Sequence, residues 1–219
     1  MTPAPAQPGA PTTRPGIAIL GGSFNPPHRT HLRLVDAALR ALPVDEVRVL
    51  PAGDHPHKRG GDLAPAAARL AMCRLAFADR PGVVVDDREL HRPGPSFTVD
   101  TLAELAAEAP GRPLFFLIGS DNLPLLPTWR DHHRVLALAT VVTYPRRGHP
   151  IDAEVLAGLD LSAAERGALL ANVLAGPADE VAASDLRRRW RRGERDLVEI
   201  PAAVRAYMAT SRCYDSGIA

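Results

Sequence analysis

IAILGGSFNPPHRTHLRL, residues 17–34, changes its period twice within one stretch. Ile17 to Leu20 is a short β-compatible apolar run, Gly21 and Gly22 follow as a turn, and Pro26 and Pro27 interrupt the loop. Leu32, Val35, Leu39 and Leu42 then recur at three- and four-residue intervals, which predicts a helix beginning near Arg29 or Thr30 and ending near Leu42. A strand feeding a glycine loop and then a helix presents backbone N–H groups to an anion. His28 and His31, three apart in the first helical turn, project to one side near the positive end of the helix dipole, where imidazoles donate to anionic oxygens. Spacing alone leaves the pair equally a surface feature or half a metal site; the glycine loop before it favours phosphate.

Working outward, strand and helix patterns alternate. Glu46 to Leu50 reads as a strand, Pro65 opens an Ala-rich helix to about Ala78, and Val83 to Asp86 reads as a third strand. Thr98 to Ala109 reads as a helix, while Leu114 to Ile118 and Thr140 to Tyr144 are apolar runs of the kind that parallel sheets bury. Ser162 with Glu165 three residues on is a capping box that starts a helix at Ala163 and carries it to about Leu174. The class is α/β: a Rossmann-like, doubly wound parallel sheet with helices on both faces and a small helical C-terminal part. Ligands in such sheets bind at the carboxyl ends of the strands, so each strand's exit loop is a candidate.

Those loops carry chemistry. Residues 51–60, PAGDHPHKRG, are basic and on their own read as a solvated turn. In SFTVDT, residues 96–101, Thr98 starts a helix whose N–H groups and hydroxyl suit a carboxylate or serve only as a cap; Phe97 is core or pocket wall. In LIGSDN, residues 117–122, Gly119 permits close backbone approach and Asp121 offers a carboxylate to ribose hydroxyls. Trp129, in the PTWR of residues 127–130, is flanked by polar groups and is a candidate to stack on a flat ring. Farther on, Ser184 reads as an N-cap, and Arg187 at the third helical position extends past the same end, so hydroxyl, N–H groups and guanidinium form an anion site.

Composition bounds the alternatives. The chain has 219 residues with 26 Lys plus Arg against 25 Asp plus Glu, a formal charge of +1. That balance, with Glu194 and Asp196 beside the arginine run 187–192, argues against a nucleic-acid partner. Cys73 and Cys213 form no metal or redox motif, so a reduced, cytoplasmic setting is expected. Residues 1–16, rich in Pro, Ala and Thr, read as a disordered extension rather than a secretory signal, and 17–214 as a single domain. No apolar run reaches membrane-spanning length, and nothing in the sequence fixes an oligomeric state.

GGSFNPPHRTHL resembles the signature of the HxGH nucleotidylyltransferases, and the later segments narrow the resemblance to the bacterial-type nicotinate (or nicotinamide) mononucleotide adenylyltransferases. PAGDHPHK, SFTVDT, LIGSDN, PTWR, the RRGHP of residues 146–150, the VAASDLR of 181–187 and the terminal SRCY match in order. The departures are Thr30 where the family usually has Gly, Arg147 for a proline, and Ala182 and Ala183 for serines. The resemblance implies transfer of AMP from ATP to nicotinate mononucleotide, giving nicotinate adenine dinucleotide and pyrophosphate in NAD biosynthesis. Mg²⁺ would be carried in with ATP, with no protein metal site. It implies catalytic roles for His28, His31 and Arg187, and ATP binding by these with Gly21, Gly22, Ser23, Phe24, Gly119, Asp121, Arg146 and Ser184. The mononucleotide falls to Asn25, Lys58, Phe97, Thr98 and Trp129; His55 and His57 receive no role.

Preference for the nicotinamide mononucleotide stays open at this stage. A phosphopantetheine or cytidylyl transferase would share the first motif but has no reason to carry SFTVDT or PTWR. A metal-dependent hydrolase built on His28, His31, His55, His57, His132 and His133 lacks any HExxH or carboxylate-histidine spacing. A non-catalytic nucleotide-binding regulator is the third rival, because the departures at Thr30, Ala182 and Ala183 touch the phosphate site.

Overall fold

The computed structural model describes residues 14–53, 63–175 and 181–215. Five strands form one parallel sheet: β1 (Gly16–Gly22), β2 (Val44–Pro51), β3 (Val83–Val85), β4 (Leu114–Gly119) and β5 (Thr140–Tyr144), in the order β3-β2-β1-β4-β5. The chain winds outward from central β1 in one direction, then returns to β1's other side with β4. The crevice outside the carboxyl ends of β1 and β4 is therefore the switch point where such sheets bind ligands. The expected fold is borne out, with β1 and β2 each longer than the apolar run that announces them.

Helices cover both faces. One core joins the sheet to α1 (Arg29–Ala41), α2 (Ala66–Phe77), α8 (Ala183–Arg191) and α9 (Ala202–Ser211) through Leu34, Val35, Met72, Trp190, Val204 and Met208. The opposite core holds α4 (Thr98–Glu108), α5 (His132–Leu138), α6 (Ala153–Ala157) and α7 (Ala163–Ala171) through Leu102, Leu105, Val135, Leu156 and Leu169. A short α3 (Arg88–His91) follows β3, and a 3₁₀ segment, Ser120–Thr128, leaves β4. The expected helix to Leu174 stops at Ala171, because Asn172 and Leu174 bond Thr143 and extend the sheet edge at β5.

The end of the segment expected to be an extension belongs to the fold: Gly16 is in β1 and the Pro15 carbonyl accepts from Arg112 Nε. Residues 1–13 lie outside the described residues. Among the described residues no helix is long and apolar enough to cross a membrane.

Candidate active site

Gly21 and Gly22 are the last residues of β1 rather than the expected turn. The turn is made by Phe24, whose φ of 45° is left-handed. That conformation costs a non-glycine residue about 1–3 kcal/mol. Complete burial of its ring returns about 1.5–3 kcal/mol, so packing holds the strained turn in place. Asn25, also buried, accepts at Oδ1 from the Ala64 N–H (3.0 Å) and the Tyr214 hydroxyl (2.9 Å). Its side-chain oxygen thus ties the loop to the approach to α2 and to the C-terminal Tyr214.

α1 starts at Arg29 with His28 as its N-cap residue. The His28 N–H donates to His31 Nδ1 at 3.1 Å, and the two rings lie 4.0 Å apart. Because Nδ1 of His31 accepts, its neutral ring carries the proton on Nε2, which makes that nitrogen a donor. Phe24 supports the same ring at 4.8 Å. His28 is buried, and its Nδ1 has no hydrogen-bond partner among the described residues. Burial first, then the charges of Arg146 and Arg29, pull its pKa down to about 3. His28 therefore sits in a positive field at the end of β1.

Thr30 between them joins the buried stripe of α1 with Leu34, Val35 and Ala38. Its φ is not left-handed, so the backbone does not require the glycine usual in the resembled family. The side chain is buried, and its Oγ1 has no hydrogen-bond partner among the described residues.

Arg187 reaches this loop from far along the chain, Nη1 donating to the Asn25 carbonyl at 2.8 Å. The expected cap at Ser184 is corrected. Ala182 is the N-cap of α8, without a side-chain cap; Ser184 is the second helical residue and exposed, and Arg187 the fifth. Alanine leaves the first-turn N–H groups uncapped, which is the state an anion-binding helix end needs.

From β4, Gly119 admits the next two groups: a Cβ there would stand 2.3 Å from Asp121 Oδ1 and 3.2 Å from Arg146 Cγ. Asp121 and Arg146 face each other at 3.7 Å, and Arg146 also donates to the Tyr144 hydroxyl at 2.9 Å. Ser120, fully buried, accepts the Arg146 N–H at 2.9 Å and donates to the His149 carbonyl at 2.7 Å, fastening the loop after β5 to the end of β4.

A second cluster lies on the α4 side. Thr98 is the first residue of α4 and Phe97 its N-cap, with the Arg130 guanidinium 4.7 Å over the Phe97 ring. Trp129, half-buried, meets Phe116 edge-on at 5.9 Å. A Cβ on Gly21 would lie 3.8 Å from the same Phe116, which connects this cluster to the end of β1. Lys58, His55 and His57 fall outside the described residues. Of the described residues, His132, His133 and Asp160 have metal-ligand spacing, but both rings are already bonded to oxygen acceptors, His132 to the Asp160 carbonyl and His133 to Glu165.

Three groups escaped the sequence reading: Arg69, Ser120 and Tyr214 in its role as a tie. Arg69 left a signal, a charge inside the buried stripe Ala68, Met72, Cys73 and Ala76 of α2.

A cytidylyltransferase-like family model matches residues 19–189. A protein of Albidiferax ferrireducens named probable nicotinate-nucleotide adenylyltransferase is 42% identical over 174 residues, covering 80% of this chain and 85% of the relative. One of the same name from Roseiflexus is 39% identical over 198 residues, covering 90% and 97%. Among solved structures, Plasmodium falciparum nicotinic acid mononucleotide adenylyltransferase complexed with NaAD superposes with a TM-score of 0.75 at 18% identity, covering 93% of this chain and 99% of that one. At that identity the likeness is one of fold.

Proposed function

The chain belongs to the cytidylyltransferase-like family and, within it, to the nicotinate-nucleotide adenylyltransferases, and from that premise we propose that it transfers AMP from ATP to nicotinate mononucleotide. A phosphate oxygen of the mononucleotide attacks the α-phosphorus, the bond to the bridging oxygen of the β-phosphate breaks, and nicotinate adenine dinucleotide and pyrophosphate leave. The nucleophile is already ionised, so no side chain need be activated. Catalysis consists of alignment and of stabilising the charge that spreads over the phosphoryl oxygens.

The observation that carries this reading is the His28–His31 bond at the head of α1. With Nδ1 of His31 accepting, its Nε2 is the ring nitrogen left to donate, while burial and the charges of Arg146 and Arg29 keep His28 neutral. We assign the histidines to the α- and β-phosphates, and Arg187 with the uncapped start of α8, including Ser184, to the leaving pyrophosphate. Gly21, Gly22, Ser23 and Phe24 form the backbone of the phosphate loop. Asp121 takes the ribose, with Gly119 giving it room, and Arg146 flanks the adenine side. Phe97, Thr98 and Trp129 take the pyridine, Thr98 through the N–H end of α4, and Lys58 the mononucleotide phosphate.

Mg²⁺ enters on ATP as part of the substrate, with phosphate and water oxygens as its ligands. We assign the activity to the cytoplasm, where Cys73 and Cys213, which form no metal or redox motif, fit a reduced setting. The test is pyrophosphate release with ATP and each mononucleotide in turn. Release with nicotinate mononucleotide is expected to exceed that with the amide, and absence of release with both would refute the assignment.

A further inference from the structure

We infer that Arg69 is a positioning residue of the nucleotide site, one guanidinium that holds the phosphate loop, the end of β2 and the approach to α2 in mutual register. The inference deepens the function proposed above and rests on it.

Arg69 is 2% exposed and donates to carbonyls from separate parts of the chain: Ser23 at 3.1 Å, Ala52 at 2.8 Å and Ala64 at 3.1 Å. Ser23 lies between the end of β1 and the left-handed Phe24. Ala52 leaves β2 and bonds back to Gly22, its N–H donating to that carbonyl at 2.8 Å. Ala64 leads into α2, and its own N–H holds Asn25 Oδ1. Arg69 thus ties Ala52, just past β2, and Ala64, which leads into α2, to the loop that carries the histidines. The clamp depends on guanidinium shape, a planar fork whose donors diverge toward fixed acceptors, whereas a lysine ammonium is a point.

Among the described residues no carboxylate pairs with Arg69, and burial lowers its pKa. A buried charge without a counter-ion is costly, and neutral donors could satisfy carbonyls. What neutral donors would not supply is net positive charge behind a loop assigned to bind phosphates. The clamp and the charge serve the same site, one by geometry and the other by field.

The test compares Arg69→Lys, which keeps charge and loses the fork, and Arg69→Gln, which loses charge, with Met72→Ala, a core variant in the same helix. If Arg69 positions the site, the folded Lys variant raises KM for both substrates and lowers kcat/KM by about tenfold to a hundredfold. Met72→Ala, at a comparable loss of thermal stability, keeps wild-type KM values. Amide exchange at residues 22–25 and 52–53 is read on the same proteins without any reaction, so it tests Arg69 even if the wild type proves inactive. Faster exchange there in Arg69→Lys alone supports the inference. Wild-type KM values and exchange in a folded Lys variant would overturn it, as would equal KM changes in Met72→Ala. Failure of both Arg69 variants to fold would assign the residue to the scaffold and also overturn it.

Discussion

Arg187 Nη1 donates to the carbonyl oxygen of Asn25 at 2.8 Å, joining residues 162 positions apart. That bond ties α8 to the loop between β1 and α1. Arg187→Lys should lower kcat/KM by about a hundredfold, as loss of a transition-state donor does. Unfolding free energy should fall by only about 1–2 kcal/mol, the scale of one hydrogen bond. Parallel kinetics and urea denaturation check both; a large stability loss with normal turnover would make the residue purely structural.

Tyr214 reports on the same loop from the opposite terminus. Its buried hydroxyl donates to Asn25 Oδ1, and burial raises its pKa. Tyr214→Phe should cost about 1–2 kcal/mol in a urea titration, because Asn25 loses one of its donors while the ring volume stays. An unchanged midpoint would mean that the C-terminal tie contributes nothing.

The fold and half of the site were legible because they follow from local pattern. β1, the histidines and the α1 stripe announce themselves by period, and LIGSDN by its place after a buried strand. What escaped lies in contacts between distant residues. Arg69 reads locally as an interruption of an apolar stripe, and only the folded chain brings Ser23, Ala52 and Ala64 to it. Ser184 is not the cap although serine outranks alanine there, because α8 begins two residues earlier than the sequence suggests, with Ala182 as its cap residue. The 3₁₀ segment after β4, with Pro124 and Pro127 inside it, carries no 3.6-residue period to detect.

His28 gives a pH signature. Its folded pKa is about 3 against an ordinary 6.5, so between those values the unfolded chain binds the extra proton. Stability should therefore fall as pH drops from about 6.5 toward 3, with no contribution from His28 above that window. In the unliganded protein its ring resonances should stay flat from pH 5 to 8, while His133, bonded to Glu165, titrates above its ordinary value. An inflection of His28 near 6.5 would contradict its neutrality beside Arg146 and Arg29.

Gly119→Ala tests the spacing of the ribose side. The added methyl meets Asp121 Oδ1 and the Arg146 stem, flexible side-chain atoms that can shift with little effect on the fold. KM for ATP should rise about tenfold while KM for the mononucleotide and the melting temperature change little, consistent with losing roughly one hydrogen bond to substrate. Equal changes for both substrates would place Asp121 elsewhere in the reaction.

The central claim is that His31 acts on the phosphates and not on the fold, and turnover of His31→Ala at saturating ATP and nicotinate mononucleotide tests it most directly. The side chain is half-buried, and its bond from the His28 N–H caps a helix end, a contribution of about 1 kcal/mol. The expected result is kcat reduced by a hundredfold or more, on the order of an oxyanion donor's worth, in a protein that unfolds at nearly the wild-type denaturant concentration. Wild-type turnover in that variant would contradict the account.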